Sequence, residues 1–117
     1  MTKIKLDWED FGIKTNTLID KVKADNIKYD GVYGVPRGGL ALALSFSHAL
    51  DIPLLAYPTN ESLVVDDISD TGETLMYVKR KRIATLYTTP WTITEPDYHV
   101  SVKENKSDWI VYPWELK

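Results

Sequence analysis

Between Leu63 and Leu75 the chain reads Leu-Val-Val-Asp-Asp-Ile-Ser-Asp-Thr-Gly-Glu-Thr-Leu, with the adjacent carboxylates Asp66 and Asp67, then Asp70, then a small hydroxyl-bearing turn. Thr71 and Thr74 supply hydroxyls, and Gly72 lets a ligand approach the backbone closely, which suits the acceptor oxygens of a phosphate monoester. Asp66 and Asp67 can accept hydrogen bonds from vicinal hydroxyls or hold a hard cation. Asp70 is spaced to lie between those two functions. A sugar phosphate flanked by acids fits this order better than a nucleoside triphosphate does. No GxxxxGK[ST] stretch exists, which excludes a Walker-type phosphate loop. Taken singly, Asp-Asp and Asp-Thr-Gly are common turn formers with solvated acids. The full run of residues from strand to turn is far more specific than either.

These residues need a strand before them and a helix after them. Leu63 to Val65 read as a buried strand, because a short run of apolar β-formers marks a strand covered on both faces. From Gly72 onward, Leu75, Met76 and Val78–Lys79 suit a helix capped by Asp70 or Thr71. Open α/β sheets bind ligands at such a junction, where a helix start offers unpaired N–H groups to an anion.

The flanking chain supplies compatible elements. Asp7 can cap a helix that carries Glu9 and Asp10 in its first turn. Phe11, Thr15, Leu18, Ile19 and Val22 form the buried stripe of that helix, with Lys14, Lys21 and Lys23 solvated and Trp8 packing. Asp30 to Val35 read as a strand, Pro36 to Gly39 as a turn, and Leu40 to Leu50 as a buried helix with Ala41, Leu44 and Ala49 or His48 facing the sheet. A second strand is expected over Ile52 to Tyr57, and Pro58 to Ser62 form a tight connection. The basic run Lys79 to Arg82 reads as a helix C-terminus. Strands follow over Arg82–Thr88 and Tyr98–Val102, then a polar turn over Lys103–Ser107 and the closing stretch Asp108 to Glu115, in which Trp114 packs.

Composition narrows the class. At 117 residues the chain is expected to make one domain spanning 1–117. A net charge of −3 gives no support for nucleic-acid or membrane-surface binding, and the absence of cysteine excludes disulfides and thiolate chemistry. The opening residues do not resemble a signal peptide, and the longest apolar run, Leu40 to Leu44, is too short to span a bilayer. A cytoplasmic protein is expected.

Val64 to Thr74 resembles the 5-phosphoribosyl 1-diphosphate (PRPP) signature of type I phosphoribosyltransferases, nearest the small xanthine–guanine and hypoxanthine enzymes. Trp8-Glu9-Asp10, Gly34-Val35-Pro36-Arg37-Gly38-Gly39-Leu40 and Asp108-Trp109-Ile110 extend the resemblance over nearly the whole chain. It implies an α/β fold, a mostly parallel twisted sheet flanked by helices, with a minimal hood made by the chain termini. It implies transfer of ribose 5-phosphate from PRPP to a purine-like base in the manner of purine salvage, with Mg²⁺ as cofactor and a homodimer or homotetramer as the assembly. Asp70, Thr71, Gly72, Glu73 and Thr74 would hold the 5-phosphate, Glu73 through its backbone, and Asp70 would also be the catalytic residue. Asp66 and Asp67 would engage the ribose, Asp67 also touching the metal. Arg37, Gly38 and Gly39 would bind diphosphate, with a cis bond between Pro36 and Arg37. Trp109, Ile110 and Thr89 would contact the base.

Two features depart from the family pattern. Residues 58–62 are too few for the long loop that usually closes over the diphosphate. Thr89 stands where purine enzymes present a lysine to the 6-oxo group. Both features favour the alternative of a PRPP- or nucleotide-binding regulator with little turnover. A Mg²⁺-dependent phosphatase using Asp66 or Asp67 as nucleophile would leave Arg37–Gly39 and Trp109 without roles.

Overall fold

A computed structural model describes residues 2–78 and 82–115. In chain order the elements are β1 (Lys3–Lys5), α1 (Trp8–Ala24), β2 (Val32–Gly34), α2 (Leu40–Leu50), β3 (Leu63–Ser69), a single 3-10 turn (Leu75–Val78), β4 (Arg82–Thr88), β5 (Tyr98–Val102) and β6 (Trp109–Val111). Strands β2, β3, β4 and β5 form one sheet in that order, parallel throughout, with Val65 opposite Gly34 on one side and Ala84 on the other. The two chain ends pair separately: β1 runs parallel to β6, with Ile4 opposite Ile110. This is the expected α/β architecture with its small hood. Among the described residues, no helix is long and apolar enough to cross a membrane.

Local chemistry sets where α1 begins. Asp7 accepts from the Asp10 amide at 2.7 Å while Asp10 accepts from the Asp7 amide at 3.3 Å, a reciprocal cap that satisfies two otherwise orphaned donors. The stripe Phe11, Thr15, Leu18, Ile19 and Val22 is buried as its spacing requires. Both long helices contribute to one core, against the sheet face that carries Leu63, Val65, Ala84 and Leu86. On the opposite face Val64 and Ile83 are covered by Leu75 of the 3-10 turn, with Tyr33, Val35 and Val78 packed around them. Trp8 and Trp114 flank Phe11 in the hood, and Trp114 stacks on Tyr112 at 5.1 Å and 6° between ring planes.

Several expectations are corrected. The helix expected after Gly72 is one 3-10 turn through Val78, and Lys79–Lys81, with most of the basic run, lie outside the described residues. Strand β3 is longer than Leu63–Val65, because β4 pairs with it as far as Ser69 opposite Thr88. Strand β2 is shorter than Asp30–Val35. The strand expected over Ile52–Tyr57 reduces to a bridge between Val32 and Leu54, where the Val32 amide donates to Pro53 and that of Leu55 donates to Val32. Pro53 has no N–H to extend that ladder. In α2 the sheet-facing residues are Leu42, Ala43 and Phe46, whereas Leu44, His48 and Ala49 are exposed. Lys14 and Lys21 reach across to β5, donating to Ser101 Oγ and the His99 carbonyl at 2.7 Å each. Lys103, expected in a polar turn, is buried.

Replacing Asp7 with alanine removes one acceptor of the reciprocal cap. It is expected to cost ~1 kcal/mol, lowering Tm by about 4 °C in a calorimetric scan.

Candidate active site

Because β3 continues to Ser69, Asp66 and Asp67 are strand residues at the carboxyl edge of the sheet, with Asp66 opposite Thr85 of β4. Asp66 is only 8% exposed, and the Thr85 hydroxyl beside it is buried without a hydrogen-bond partner among the described residues. The Asp66 carboxylate accepts from the Asp67 amide, and that of Asp67 from the Ile68 amide, each at 2.8 Å. Burial, then the charge of Asp67, pushes Asp66 up to about 9. Burial also raises Asp67 above the usual carboxylate range. The pair therefore retains a proton near neutrality unless a cation or hydrogen-bond donors replace it.

The turn after Asp70 is open to a ligand and braced from behind. Gly72 has φ +84°, and a Cβ there would lie 2.5 Å from the Thr94 amide nitrogen and from Thr92 Oγ1, so only glycine fits. The Ile93 amide donates to the Thr71 carbonyl at 2.9 Å, and Thr94 Oγ1 donates to the Gly72 carbonyl at 2.6 Å. Ser69 Oγ donates to the Thr94 carbonyl at 2.7 Å. With its carbonyls engaged from behind, the turn leaves the amides of Thr71, Gly72 and Thr74 without partners among the described residues, while the Glu73 amide donates to Thr71 Oγ1 at 3.3 Å. Glu73 itself is exposed. Thr92 to Thr94 had no motif in the sequence to single them out.

The bond between Pro36 and Arg37 is cis, as the resemblance implies. The loop that follows lies against β3. A Cβ on Gly38 would fall 2.3 Å from an Asp67 carboxylate oxygen, and one on Gly39 would fall 2.5 Å from the Val65 carbonyl oxygen. Arg37 is exposed and forms no ion pair among the described residues, leaving its guanidinium available.

Two adjoining cavities share Asp67, Ile68 and Asp70. One, of about 250 Å³, is lined by Asp66, Ser69, Thr71, Gly72 and Thr74. The other, of about 200 Å³, lies under the hood and is lined by Lys103, Trp109, Ile110, Tyr112 and Glu115. Trp109 stays half exposed, whereas the Tyr112 hydroxyl is buried without a partner among the described residues. Asp70 joins the cavities, and both its oxygens are held: Trp91 Nε1 donates to Oδ1 at 2.9 Å and Lys103 Nζ to Oδ2 at 2.8 Å. Thr89 is buried and donates its hydroxyl to the Asp70 carbonyl at 2.6 Å, so its proton faces the backbone and its side chain lines neither cavity. Trp91 and Lys103 were missed by sequence reasoning. The composition of Lys103–Ser107 is that of any solvated turn, and only the ladder bond from the Lys103 amide to the Thr88 carbonyl, 2.9 Å, turns this lysine inward.

A turn with unpartnered amides at a strand's end, paired acids beside a glycine loop and an aromatic-walled cavity next door are the arrangement expected of a type I phosphoribosyltransferase. No family model matches the chain. A purine phosphoribosyltransferase from Pyrococcus horikoshii Ot3 superposes with a TM-score of 0.84 at 33% identity, covering 100% of this chain and 96% of that one. The xanthine-guanine phosphoribosyltransferase of Cereibacter sphaeroides is 27% identical over 84% of this chain and 76% of its own length. The Helicobacter pylori xanthine-guanine-hypoxanthine phosphoribosyltransferase shares the fold, with a TM-score of 0.79 at 20% identity over 97% of this chain and 94% of that one. The chain belongs to the type I phosphoribosyltransferase family, among the purine phosphoribosyltransferases.

The raised Asp66 fixes the sign of a pH effect. The folded state binds this proton more tightly than the unfolded chain, so the associated stability is complete below about pH 4 and is lost as pH rises toward about 9. Asp66→Asn is therefore expected to flatten the decline of Tm between pH 5 and 9 and to raise Tm at pH 8 by at least ~4 °C, measured without divalent cations.

Proposed function

We propose that this purine phosphoribosyltransferase transfers ribose 5-phosphate from PRPP to a ring nitrogen of a purine base and releases diphosphate, with each part of the crevice holding one part of the substrates. The observation that carries this assignment is the pair of adjoining cavities meeting at Asp67, Ile68 and Asp70, one walled by loop amides and hydroxyls and the other by an indole. The 5-phosphate sits on the free amides of Thr71, Gly72 and Thr74 and the hydroxyls of Thr71 and Thr74, with the Glu73 amide swinging from Thr71 Oγ1 to join them and its acid turned to solvent. The ribose hydroxyls donate to Asp66 and Asp67, whose carboxylates keep lone pairs beyond those used by the Asp67 and Ile68 amides. Arg37 and the backbone of Gly38 and Gly39 hold the departing diphosphate. Trp109 stacks on the base, and the Ile110 backbone meets its edge.

Asp70, fixed by Trp91 and Lys103, keeps a second lone pair on each oxygen. From there it takes the proton of the incoming base or stabilises positive charge developing on the ribose. Mg²⁺ fits the donor set: hard carboxylate oxygens whose burial makes them seek positive charge, with Asp67 as its contact. No cluster of three or more His, Cys, Asp or Glu side chains that could hold a metal occurs among the described residues, so substrate oxygens and water would complete the coordination. The metal would neutralise charge on the leaving diphosphate. The chain would work in the cytoplasm as a homodimer or homotetramer.

Incubation with PRPP, Mg²⁺ and a panel of purines and pyrimidines is expected to yield nucleotide and diphosphate with a purine, detected by chromatography. PRPP binding without product from any base would refute turnover. Asp70→Asn is expected to lower kcat by ~10²–10⁴ while the PRPP Kd moves less than about threefold. Chelation of divalent cations is expected to abolish turnover and added Mg²⁺ to restore it.

A further inference from the structure

We propose that this chain also hydrolyses PRPP when no base is bound: water in the aromatic-walled cavity attacks the ribose C1, releasing ribose 5-phosphate and diphosphate. This activity rests on the transfer reading above and adds water as a second acceptor at the same site. The chain between α2 and β3 lies away from the departing diphosphate. Val32 opens β2, and its amide and carbonyl bond to the Pro53 carbonyl and the Leu55 amide at 2.9 Å each. The Asp30 amide donates to the Glu61 carbonyl at 3.1 Å, and Thr59 Oγ1 donates to the Asp30 carboxylate at 2.7 Å. Residues 53–62 are therefore fastened to the amino end of β2, whereas Arg37–Gly39 follow its carboxyl end, ~10 Å further along. Tied down there, this connection does not fold over a diphosphate held by Arg37. Arg37 is itself exposed, as are Thr71 and Thr74 across the crevice.

The cavity beside Asp70 suits water. At about 200 Å³ it has room for several molecules, each with a share of liquid volume of ~30 Å³. Ordered water needs polar partners, and Asp70, Lys103 and Glu115 line the walls. The Tyr112 hydroxyl, buried and unpartnered among the described residues, adds a further one. Asp70, oriented by Trp91 and Lys103, lines this cavity and the phosphate side alike. As the bond from C1 to the diphosphate oxygen loosens, C1 gains oxocarbenium character and captures a nearby nucleophile. Water forms the new C1–O bond, one of its protons passes to Asp70 and then to solvent, and the electron pair of the broken bond leaves on diphosphate. Enclosure that expels water prevents such hydrolysis, and the exposed leaving-group side lacks it.

The test is incubation with PRPP and Mg²⁺ without any base, followed by chromatography of the products. Ribose 5-phosphate and diphosphate are expected in equal amounts, forming at least ~10-fold faster than in the protein-free control. In water enriched in heavy oxygen the diphosphate should carry no label by mass spectrometry, because the C1–O bond is the one that breaks. Asp70→Asn should slow the reaction by ~10-fold or more, and a saturating purine acceptor should divert the flux to nucleotide. Nucleotide from a purine, but no ribose 5-phosphate above the protein-free rate, would overturn the proposal and leave transfer standing. Labelled diphosphate, or an unchanged rate in a folded Asp70→Asn variant, would also overturn it. If Asp70→Asn does not fold, the label decides: unlabelled diphosphate upholds cleavage at C1. Ribose 5-phosphate without nucleotide from any base would sink the transfer reading while upholding hydrolysis.

Discussion

Two carboxylates on consecutive residues, one buried and one partly buried, are held at the carboxyl edge of a parallel sheet, and the rest of the site is arranged around that cost. Asp66 cannot turn to water, because Thr85 and the β3–β4 ladder enclose it. Asp67 is partly buried, with the Gly38 backbone close to its oxygens and both cavities opening beside it. An anion pair in such a place needs a proton, a cation or polyhydroxyl donors. The demand is useful only if those partners belong to the substrate. On the proposed reading, burial that would be a defect in a structural strand becomes affinity for ribose hydroxyls and a divalent cation.

The same constraint accounts for the glycines on either side. Gly38 and Gly39 bring a second backbone within contact of β3, and a methyl group at either position would strike the Asp67 carboxylate or the Val65 carbonyl. Gly72 allows the phosphate turn to lie on Thr92–Thr94, whose amide and hydroxyl donors occupy its carbonyls and leave its amides facing outward. Polarity is thereby sorted, with acceptors tied down behind the turn and donors presented in front. The short 3-10 turn after it gives up the strong dipole of a long helix, so the proposed anion site would rely on oriented amides and hydroxyls.

The base side is built from parts far apart in sequence. Trp109 and Ile110 reach the crevice because β6 pairs with β1, which joins the two ends of the chain. Asp70 is reached by Trp91 from one loop and by Lys103 from another. A carboxylate with both oxygens engaged keeps a fixed orientation, the rigidity that the proposed role of Asp70 as proton acceptor requires.

The acids, the hydroxyl turn, the glycine loop and the buried stripe of α1 were legible in the sequence, because each depends on neighbours within a few residues. Spacing along the backbone alone places Asp66, Asp67 and Asp70 before Thr71–Thr74, and Phe11 to Val22 on one helical face. The extension of β3 to Ser69, the reduction of residues 52–57 to a bridge, the inward turn of Lys103 and the engagement of Thr89 with the Asp70 backbone were decided only by the tertiary structure. Each depends on which distant strand lies alongside: β4 lengthens β3, Pro53 cannot extend a ladder beside β2, and the Thr88 carbonyl captures the Lys103 amide. Local sequence determines what a residue can donate or accept, and the long-range ladder determines what it faces.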